Sequence, residues 1–473
     1  MIRPVFLLSI LLWLVSSTAG ATQVPADVSG HLTANKIPDS AISIVVREIG
    51  QKSPLLSVNS NIARNPASAL KLVTTFTALA VLGPNYRWKT EFFIDNRIDK
   101  GVLNGNLYIK GYGNPYLVTE EFWRDLGELK DSGLTVVNGD LIIDNSHLAL
   151  PTAQPGDFDG EPLRLYNVLP TATLVNFKAF EFSFTPHKDG KRVNISAEPK
   201  IPGLKIVNRL KQKKGRCTGY NRGIKMQPSP SGATNEVIFS GSFPSLCGRY
   251  ILKRTAMDSP SYARGMFEIY WAHWGGTITG GVQSASVPAT LTPFAVTHSR
   301  PLVDIIRPLN KWSNNVMARL LVYALAGTKY PPPLNRAQGT EVMLEFLSSA
   351  GIDTSDVVID NGSGLSRSSR VSAEFLTDLL HHAFAHPLMP EYVSSLSING
   401  IDGTTRRRFV GRPEMGRMHL KTGRLDGVAA IAGYVMAKSG KIYSVALLGN
   451  YPNIHRGAGI AIQNALLKWV YAQ

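Results

Sequence analysis

Three short motifs contain side chains whose types and spacing suit nucleophilic catalysis. The first, S-x-x-K at Ser68–Lys71, places a hydroxyl and an amine three residues apart. Residues at that spacing share one face of a helix, so the amine can accept a proton from the hydroxyl. Burial of the lysine would disfavour its ammonium form and make it a base near neutral pH. The alternative is a helix-capping serine beside a lysine that extends to solvent.

The other two motifs add polar groups that could complete such a site. S-x-N at Ser313–Asn315 precedes an apolar helical pattern over 316–326, and K-T-G at Lys421–Gly423 closes a predicted strand over 417–421. Taken singly, they could be an ordinary helix cap and an exposed strand end. In the order S-x-x-K, S-x-N, K-T-G, the three motifs indicate an enzyme that acylates a serine with the help of a lysine.

Two further matches to S-x-N are rejected as parts of this set. Ser57–Asn59 lies too near Ser68 in sequence to form an opposing wall of a cleft. Ser397–Asn399 leads into a predicted loop over 400–404, with no helix after it.

The elements around the motifs predict an α+β fold. Ser68 begins a run to Leu82 that is apolar on nearly every face, which predicts a buried helix. The other elements are predicted strands at 41–48, 55–58, 428–436 and 441–448 and an amphipathic helix at 457–471. Together they predict an antiparallel sheet built from both ends of the chain and flanked by helices.

The chain resembles the D-alanyl-D-alanine carboxypeptidase/endopeptidase family, the low-molecular-mass class C penicillin-binding proteins. Beyond the three motifs, the resemblance extends to Pro66–Ser68, Gly113–Leu117, Gly139–Asp144, the D-N-G-S-G-L-S-R stretch at 360–367 and G-I-D-G-T at 400–404. It implies a penicillin-binding protein/serine β-lactamase-like domain. Two residues depart from the pattern: Asn114 stands where Asp is common, and Arg424 where Ser or Thr is more usual.

The resemblance also implies catalytic roles for the motif residues. Ser68 attacks a peptide carbonyl, Lys71 accepts its proton, and Ser313 relays a proton to the leaving amine. Asn315 orients the substrate amide. Whether this lysine is the primary base differs among such enzymes.

The K-T-G motif and its neighbour are implied to bind substrate. Lys421 and Thr422 hold the terminal carboxylate, and the strand at Gly423 faces the scissile carbonyl. The N–H groups of Ser68 and Arg424 stabilise the oxyanion, and the Arg424 side chain adds a second cation near the carboxylate. The resemblance implies no metal and no organic cofactor.

Motif spacing predicts an insertion within the catalytic domain. About 245 residues rich in strand signals separate Ser68 from Ser313, which predicts inserted mostly-β domains. The resemblance implies two, one nested in the other. The predicted units are a catalytic domain at 22–88 and 292–473, domain II at 89–105 and 180–291, and domain III at 106–179.

The N-terminus predicts export. Arg3, an apolar stretch over 5–15 and the small residues Ala19–Ala21 are typical of a cleaved signal peptide over 1–21, and therefore of a periplasmic protein. An uncleaved signal that acts as an anchor is the alternative. In an exported protein, the only two cysteines, Cys217 and Cys247, are predicted to form a disulfide rather than two separate buried thiols.

The formal charge of +16 favours an anionic partner. Basic clusters occur at 205–214 and 406–408, but no nucleic-acid-binding motif is present, so cell-wall polymer or a membrane surface is the predicted partner. A solvated basic face is the alternative. His382 and His386 are four residues apart, but Ala383 stands where a zinc-protease helix has Glu, so no metal site is predicted.

The predicted activity is hydrolysis of the D-alanyl-D-alanine bond, or of D-alanyl cross-links, in peptidoglycan. The partners would be stem peptides, with β-lactam antibiotics as covalent inhibitors. Two other classes stay open: a β-lactamase or other amide or ester hydrolase on the same site, and a non-catalytic wall-binding or sensor protein. The sequence indicates neither the oligomeric state nor the balance between carboxypeptidase and endopeptidase.

Overall fold

A computed structural model of the chain describes residues 23–150, 152–219, 223–229 and 235–473. The predicted signal peptide at 1–21 lies outside the described residues. Within those ranges, no helix has the length and apolar character that a membrane span requires.

Helices and strands alternate irregularly along the chain. The α-helices are α1 (Ala26–Ala34), α2 (Lys71–Leu82), α3 (Thr119–Asp131), α4 (Ser259–His273), α5 (Leu302–Trp312), α6 (Asn315–Ala326), α7 (Arg336–Ser349), α8 (Ala373–Ala385), α9 (Met389–Ser395) and α10 (Ala458–Tyr471). The strands are β1 (Ile42–Glu48), β2 (Leu56–Val58), β3 (Lys89–Ile94), β4 (Ile98–Asp99), β5 (Val102–Leu103), β6 (Leu107–Gly111), β7 (Val136–Val137), β8 (Leu141–Asp144), β9 (Phe180–Pro186), β10 (Val193–Glu198), β11 (Lys205–Lys213), β12 (Ile224–Pro228), β13 (Glu236–Pro244), β14 (Tyr250–Arg254), β15 (Thr277–Ile278), β16 (Val282–Ser284), β17 (Ala295–His298), β18 (Ser397–Ile398), β19 (Met418–Leu425), β20 (Val428–Met436) and β21 (Ile442–Asn450).

A six-stranded antiparallel sheet from both ends of the chain forms the centre of the catalytic half. Its strand order is β18-β19-β20-β21-β1-β2. Both faces are buried, and successive residues alternate between them. Ala430 and Ala432 on β20 lie in the core cluster that contains α2 and α8, whereas Ile431 lies in the cluster that contains α1 and α10. The sheet is therefore a layer between two groups of helices.

The segment that follows Pro66 differs from the single helix predicted from Ser68. A 3-10 turn covers Ala67–Leu70, and the α-helix α2 starts only at Lys71. Ala67 has a positive φ of 44°, which an α-helix does not accommodate. Ser68 therefore lies on a tight turn, while the apolar α2 behind it is buried up to Leu79.

The K-T-G motif lies inside a strand, which corrects the prediction that it closes one. β19 extends to Leu425 because Lys421 pairs with Ala432 and Leu425 with Val428 in the hairpin with β20. Ser397–Ile398, just before the predicted loop over 400–404, forms the edge strand β18, in which Ser397 pairs with Leu420 of β19.

Strand pairing in the inserted region does not follow the predicted boundary between 105 and 106. β6 pairs with β3, and β8 pairs with both β6 and β16, so strands of the predicted unit 106–179 share a five-stranded sheet with strands outside it. Two three-stranded sheets, β10-β9-β14 and β11-β13-β12, take all their strands from residues 180–254. Two helices, α3 and α4, accompany the strands, and a common apolar core joins all these elements.

The two cysteines lie in this inserted region. Cys217 follows β11, Cys247 follows β13, and a disulfide joins their sulfur atoms. The covalent link therefore closes one end of the sheet that contains these two parallel strands.

Candidate active site

Asn65 shapes the turn that carries Ser68. Its side-chain oxygen accepts a hydrogen bond from the Ala67 N–H (2.8 Å), and its amide nitrogen donates to the Ser366 carbonyl (2.8 Å). Ala67 and Leu70 are fully buried, whereas Ser68 is partly exposed. The turn is thus fixed from behind, and the serine hydroxyl is presented at the surface of a cleft.

Two glycines let neighbouring segments approach this turn closely. A Cβ at Gly364, where φ is +74°, would lie 1.8 Å from the Ala67 carbonyl oxygen. A Cβ at Gly423 of the K-T-G motif would lie 2.4 Å from the Pro66 carbonyl oxygen. Any side chain at either position would displace the backbone of the turn, so the glycines bring the 360–367 segment and β19 against Ser68.

The Lys71 amine is the centre of the buried polar network. Its nitrogen lies within hydrogen-bonding distance of Ser68 Oγ (3.0 Å), Asn315 Oδ1 (2.7 Å) and the Ser363 carbonyl oxygen (2.5 Å). The side chain is fully buried. Burial, followed by the nearby charge of Lys421, lowers the pKa of Lys71 well below its usual value. The amine is therefore disposed to be neutral and to accept a proton.

A second serine and a second lysine form a matching pair. The Lys421 amine donates to Ser313 Oγ (2.8 Å) and to the carbonyl oxygen of Thr422 (2.9 Å). Burial lowers the pKa of Lys421 to about 7. Ser313 has a left-handed φ of 59° between α5 and α6, a conformation that costs a non-glycine residue energy and is often found at functional sites.

The family resemblance implies that Lys421 holds the substrate carboxylate, but its amine does not reach the open cleft. The side chain is fully buried, and its amine contacts Ser313 and not the open cleft. The exposed face of the motif instead presents Thr422, whose hydroxyl donates to Thr404 Oγ1 (2.9 Å). Arg424 is exposed, as its place on the strand after Gly423 requires.

Asn315 connects the catalytic half to the inserted region. Its oxygen accepts from Lys71, and its amide nitrogen donates to the Tyr166 carbonyl oxygen (3.0 Å). The Tyr166 hydroxyl in turn donates to Asp159 (2.7 Å). The S-x-N asparagine is thus held from both sides.

The sequence interpretation missed three partners in this network. The Ser363 carbonyl and Thr404 lie in stretches used only for the family resemblance, which was the one signal that could have identified them. Tyr166 contributes a backbone oxygen, which no residue pattern could have indicated.

Two cavities meet at the serines. One has a volume of about 350 Å³ and is lined by Thr404, Arg408 and Thr422 among others. The other, of about 640 Å³, is lined by Asn315 and Tyr166 among others. Both cavities are lined by Ser68, Ser313, Arg424 and His455.

The histidines rejected as metal ligands pack against an aromatic ring. His382 and His386 lie 5.7 and 5.5 Å from the ring centre of Phe76. Among the residues that the structure describes, no group of three or more His, Cys, Asp or Glu side chains could hold a metal ion.

The arrangement is suited to acyl transfer. A partly exposed hydroxyl contacts a buried amine of lowered pKa, and a second hydroxyl contacts a second such amine, at the junction of two cavities. A substrate chain could pass through that junction with its carbonyl at Ser68.

Comparison with known proteins gives a consistent result. Residues 24–473 match the family described as D-Ala-D-Ala carboxypeptidase 3 (S13). A D-alanyl-D-alanine carboxypeptidase of Actinomadura sp. (strain R39) is 28% identical over 470 residues, covering 95% of this chain and 85% of that protein.

Solved structures share the fold. Penicillin binding protein 4 (dacB) from Haemophilus influenzae superposes with a TM-score of 0.79 at 22% identity, covering 94% of this chain and 99% of that one. The same protein complexed with a novel β-lactam gives 0.75 at 22% identity, covering 95% and 100% of the two chains. The predicted fold class, an α+β penicillin-binding-protein domain with insertions, is confirmed.

Proposed function

Because the chain belongs to the D-Ala-D-Ala carboxypeptidase 3 (S13) family, we propose that it hydrolyses D-alanyl-D-alanine bonds of peptidoglycan stem peptides through an acyl-enzyme on Ser68. The observation that carries this proposal is the contact between the buried Lys71 amine and Ser68 Oγ, at 3.0 Å. A nucleophile within hydrogen-bonding distance of a base is the arrangement that acyl transfer needs.

The hydrogen bonds of Lys71 favour proton transfer from Ser68. A neutral amine has two N–H donors and one lone pair. The Asn315 and Ser363 oxygens accept the two donors, so the lone pair is left for the Ser68 hydroxyl. Ser68 Oγ then forms a bond to the substrate carbonyl carbon while its proton passes to Lys71. The backbone N–H groups of Ser68 and Arg424 donate hydrogen bonds to the oxyanion that forms on the substrate.

Ser313 and Lys421 supply a proton to the leaving amine. As the carbon–nitrogen bond breaks, the departing amine takes a proton from the Ser313 hydroxyl, which recovers one from Lys421 at 2.8 Å. With a pKa of about 7, Lys421 can give and regain that proton near neutral pH. Once the amine has left, the proton that Lys71 took from Ser68 passes to Lys421, so both lysines return to their starting states. Water then attacks the acyl-enzyme as the neutral Lys71 takes its proton, and Lys71 returns that proton to Ser68 Oγ as the carbon–oxygen bond breaks, which releases the shortened peptide and restores Ser68.

Hydroxyl groups bind the substrate carboxylate, and a buried positive charge lies behind them. Thr422 and Thr404 face the cavity beside Ser68, and the ammonium of Lys421 lies behind them next to Ser313. Arg424 adds an exposed cation to the same cavity. Attraction of the carboxylate to these charges is strengthened by the partial exclusion of water.

β-Lactams are expected to acylate the same serine. Their strained amide takes the place of the D-alanyl bond, and the ring keeps the leaving amine attached. A structural relative from Haemophilus influenzae has been solved in complex with a β-lactam. We therefore propose that penicillin binds covalently to Ser68.

A periplasmic location is also proposed. The predicted signal peptide and the Cys217–Cys247 disulfide support it, because disulfides persist in oxidising compartments. The net charge of +16 would favour contact with anionic wall polymer or a membrane surface.

Mass spectrometry of wall fragments incubated with the protein tests the function. Loss of one alanine from pentapeptide fragments, abolished by Ser68→Ala, is the expected result. Unchanged fragments in the presence of active penicillin turnover would support a β-lactamase instead. Unchanged fragments with no acylation at all would support a non-catalytic wall-binding protein.

A further inference from the structure

A separate cavity lies between the inserted region and the catalytic half. Its volume is about 390 Å³, within the range of small-molecule sites. Its walls come from described residues between 149 and 170, from Arg319 and Tyr323 on α6, from the start of α7 and from Asn361. No residue of the three motifs is among the described residues that line it, and it shares only Phe158 with the 640 Å³ cavity at the serines. We call it the Arg319 cavity.

Arg319 brings a positive charge without a partner to this cavity. Its Nε is buried and accepted by no hydrogen-bond partner, and its guanidinium forms no ion pair with a described carboxylate. Asp360 is near enough to influence the pKa of Arg319, but that carboxylate is bound to Arg336 at 2.7 Å. Burial lowers the pKa of Arg319, although a guanidinium stays charged at neutral pH. A desolvated cation without a partner is stabilised when an anion binds beside it.

Asp157 does not supply that anion. It lines the cavity but is exposed, and its carboxylate accepts the backbone N–H of Gln154 in its own loop (2.8 Å). Because Arg336 is paired with Asp360, the charge of Arg319 remains in excess on the α6 side of the cavity.

The rest of the lining is largely apolar. It includes Phe158, Leu169, Pro155, Pro170 and Ala149. Tyr323 lies one helical turn after Arg319 on the same face of α6, and its hydroxyl forms no hydrogen bond with a described residue. A ligand that suits this lining has an anionic group for Arg319, an acceptor for the Tyr323 hydroxyl and a compact apolar body. A carboxylate on a small ring or branched chain meets all three requirements.

Two short connections join the Arg319 cavity to the catalytic base. Asn361, which lines the cavity, accepts hydrogen bonds at Oδ1 from the N–H (3.1 Å) and the hydroxyl (2.7 Å) of Ser363. The carbonyl oxygen of Ser363 contacts the Lys71 amine. Arg319 itself lies one turn after Asn315, whose Oδ1 contacts the same amine.

The charge of Arg319 also acts on Lys71 directly. After burial and the charge of Lys421, it is the third cause that lowers the pKa of Lys71. The other titratable groups that act on Arg319 are Asp360, Arg336 and Tyr323. An anion bound to Arg319 would offset its charge and favour the ammonium form of Lys71. At a given pH, fewer molecules would then hold Lys71 as the neutral base.

We propose that the Arg319 cavity is an effector site, where a small carboxylate with a compact apolar body binds and slows the acylation of Ser68. The ligand needs no contact with Ser68 or Ser313. Binding is independent of the proposed function, and only the effect on acylation rests on it.

Benzoate and its uncharged isostere benzamide are the probes of binding. Isothermal titration calorimetry measures both with the unmodified protein, before and after penicillin has acylated Ser68 and filled the catalytic cleft. Benzoate should bind in both states, at least about tenfold more tightly than benzamide, because only the carboxylate pairs with the desolvated guanidinium. Loss of benzoate binding on acylation would assign the probe to the catalytic cleft. Either that loss or equal binding of the two probes overturns the proposal.

Three variants locate the binding site. Arg319→Gln should remove the preference for benzoate over benzamide. Ala337→Trp, at an exposed position of α7 that lines the cavity, should block both probes while it leaves the charge of Arg319 in place. Arg307→Gln is the matched control, an exposed arginine of α5 with no acidic partner among the described residues, and should bind as the unmodified protein does. Unchanged binding by Arg319→Gln or by Ala337→Trp overturns the site.

The rate of penicillin acylation, followed across pH, tests the effect on Lys71. Saturating benzoate should slow acylation about two- to threefold on the acidic side of the profile and leave the maximum unchanged. Arg319→Gln should show the same shift without benzoate, whereas Ala337→Trp should keep the original profile and not respond to the probe. An equal loss of rate at every pH, or no response to bound benzoate, overturns the effector role. Absence of acylation in the unmodified protein overturns the proposed function instead, and the binding measurements still decide the site.

Discussion

Lys71 and Lys421 are buried in one site, and after burial itself the charge of Lys421 is the next cause that lowers the pKa of Lys71, because two neighbouring ammonium groups disfavour each other. Each amine contacts a different serine: Lys71 contacts Ser68, and Lys421 contacts Ser313. The two lysines are thus suited to opposite tasks. Lys71 accepts a proton from the nucleophile, and Lys421 supplies one toward the leaving group.

Replacing Lys71 by alanine should remove most of the acylation rate, on the order of a thousand-fold or more, since nucleophile and base act as a unit. The rate of penicillin acylation measures the loss. Because the two residues act together, the double variant Ser68→Ala with Lys71→Ala should be no less active than Ser68→Ala alone. Near-normal acylation by Lys71→Ala would place the base elsewhere.

The pH dependence of kcat/KM should show the titration of Lys421. Its pKa of about 7 means that the charge is present below pH 7 and lost as pH rises through that value. Catalysis should therefore decline on the alkaline side near pH 7, and it should decline on the acidic side as Lys71 becomes protonated.

Lys421→Arg should move the alkaline decline upward, because a guanidinium stays charged throughout the accessible range. The maximal rate should fall, since the larger group does not reproduce the contact with Ser313. An alkaline decline that stays at the same pH in this variant would assign the titration to another group.

Gly364→Ala should slow acylation of Ser68 by penicillin, beyond any effect of lost stability. The new Cβ would lie 1.8 Å from the Ala67 carbonyl oxygen and would displace the turn of Ser68. Gly351→Ala is the matched control, because φ is also positive (+76°) but nothing lies within 4 Å. Both variants should lose about 1–2 kcal/mol of unfolding free energy from the left-handed backbone, and Gly364→Ala should lose more because its Cβ meets a backbone oxygen. Only Gly364→Ala should acylate slowly, and equal rates would refute the role of the close approach.

Removing the disulfide should destabilise the inserted region without stopping acylation. Cys217 and Cys247 are 30 residues apart, and closing a loop of that size is worth roughly 3–4 kcal/mol in the chain-entropy model. Proteolysis of the double Cys→Ala variant should accelerate within residues 180–254, while penicillin labelling continues. Simultaneous loss of labelling would show that the catalytic half depends on this covalent link.

Residues that the sequence motifs single out by side-chain type lie together in the structure. The contacts of Lys71 with Ser68 and Asn315 join residues whose motifs were recognisable, and β20 has the predicted bounds. The Ser363 carbonyl could not be predicted, because a backbone oxygen is the same in every residue and this one is 292 positions from Lys71.

The inserted sheets show a second limit of sequence-based prediction. The predicted boundary at 105/106 separates β3 from β6, yet the two strands pair along their length. Short strands carry little information about their partners, because pairing is decided by contacts between distant segments. The extension of β19 beyond Lys421 has the same origin, since β20 provides the partners that keep it in the sheet.

The formation of a covalent adduct on Ser68 tests the central claim most directly. The protein is incubated with penicillin, digested with a protease, and the peptide that carries the added mass is sequenced by mass spectrometry. The adduct should be found on Ser68 and should be absent from the Ser68→Ala variant. An adduct on another residue, or labelling that persists in Ser68→Ala, would contradict the assignment of the nucleophile.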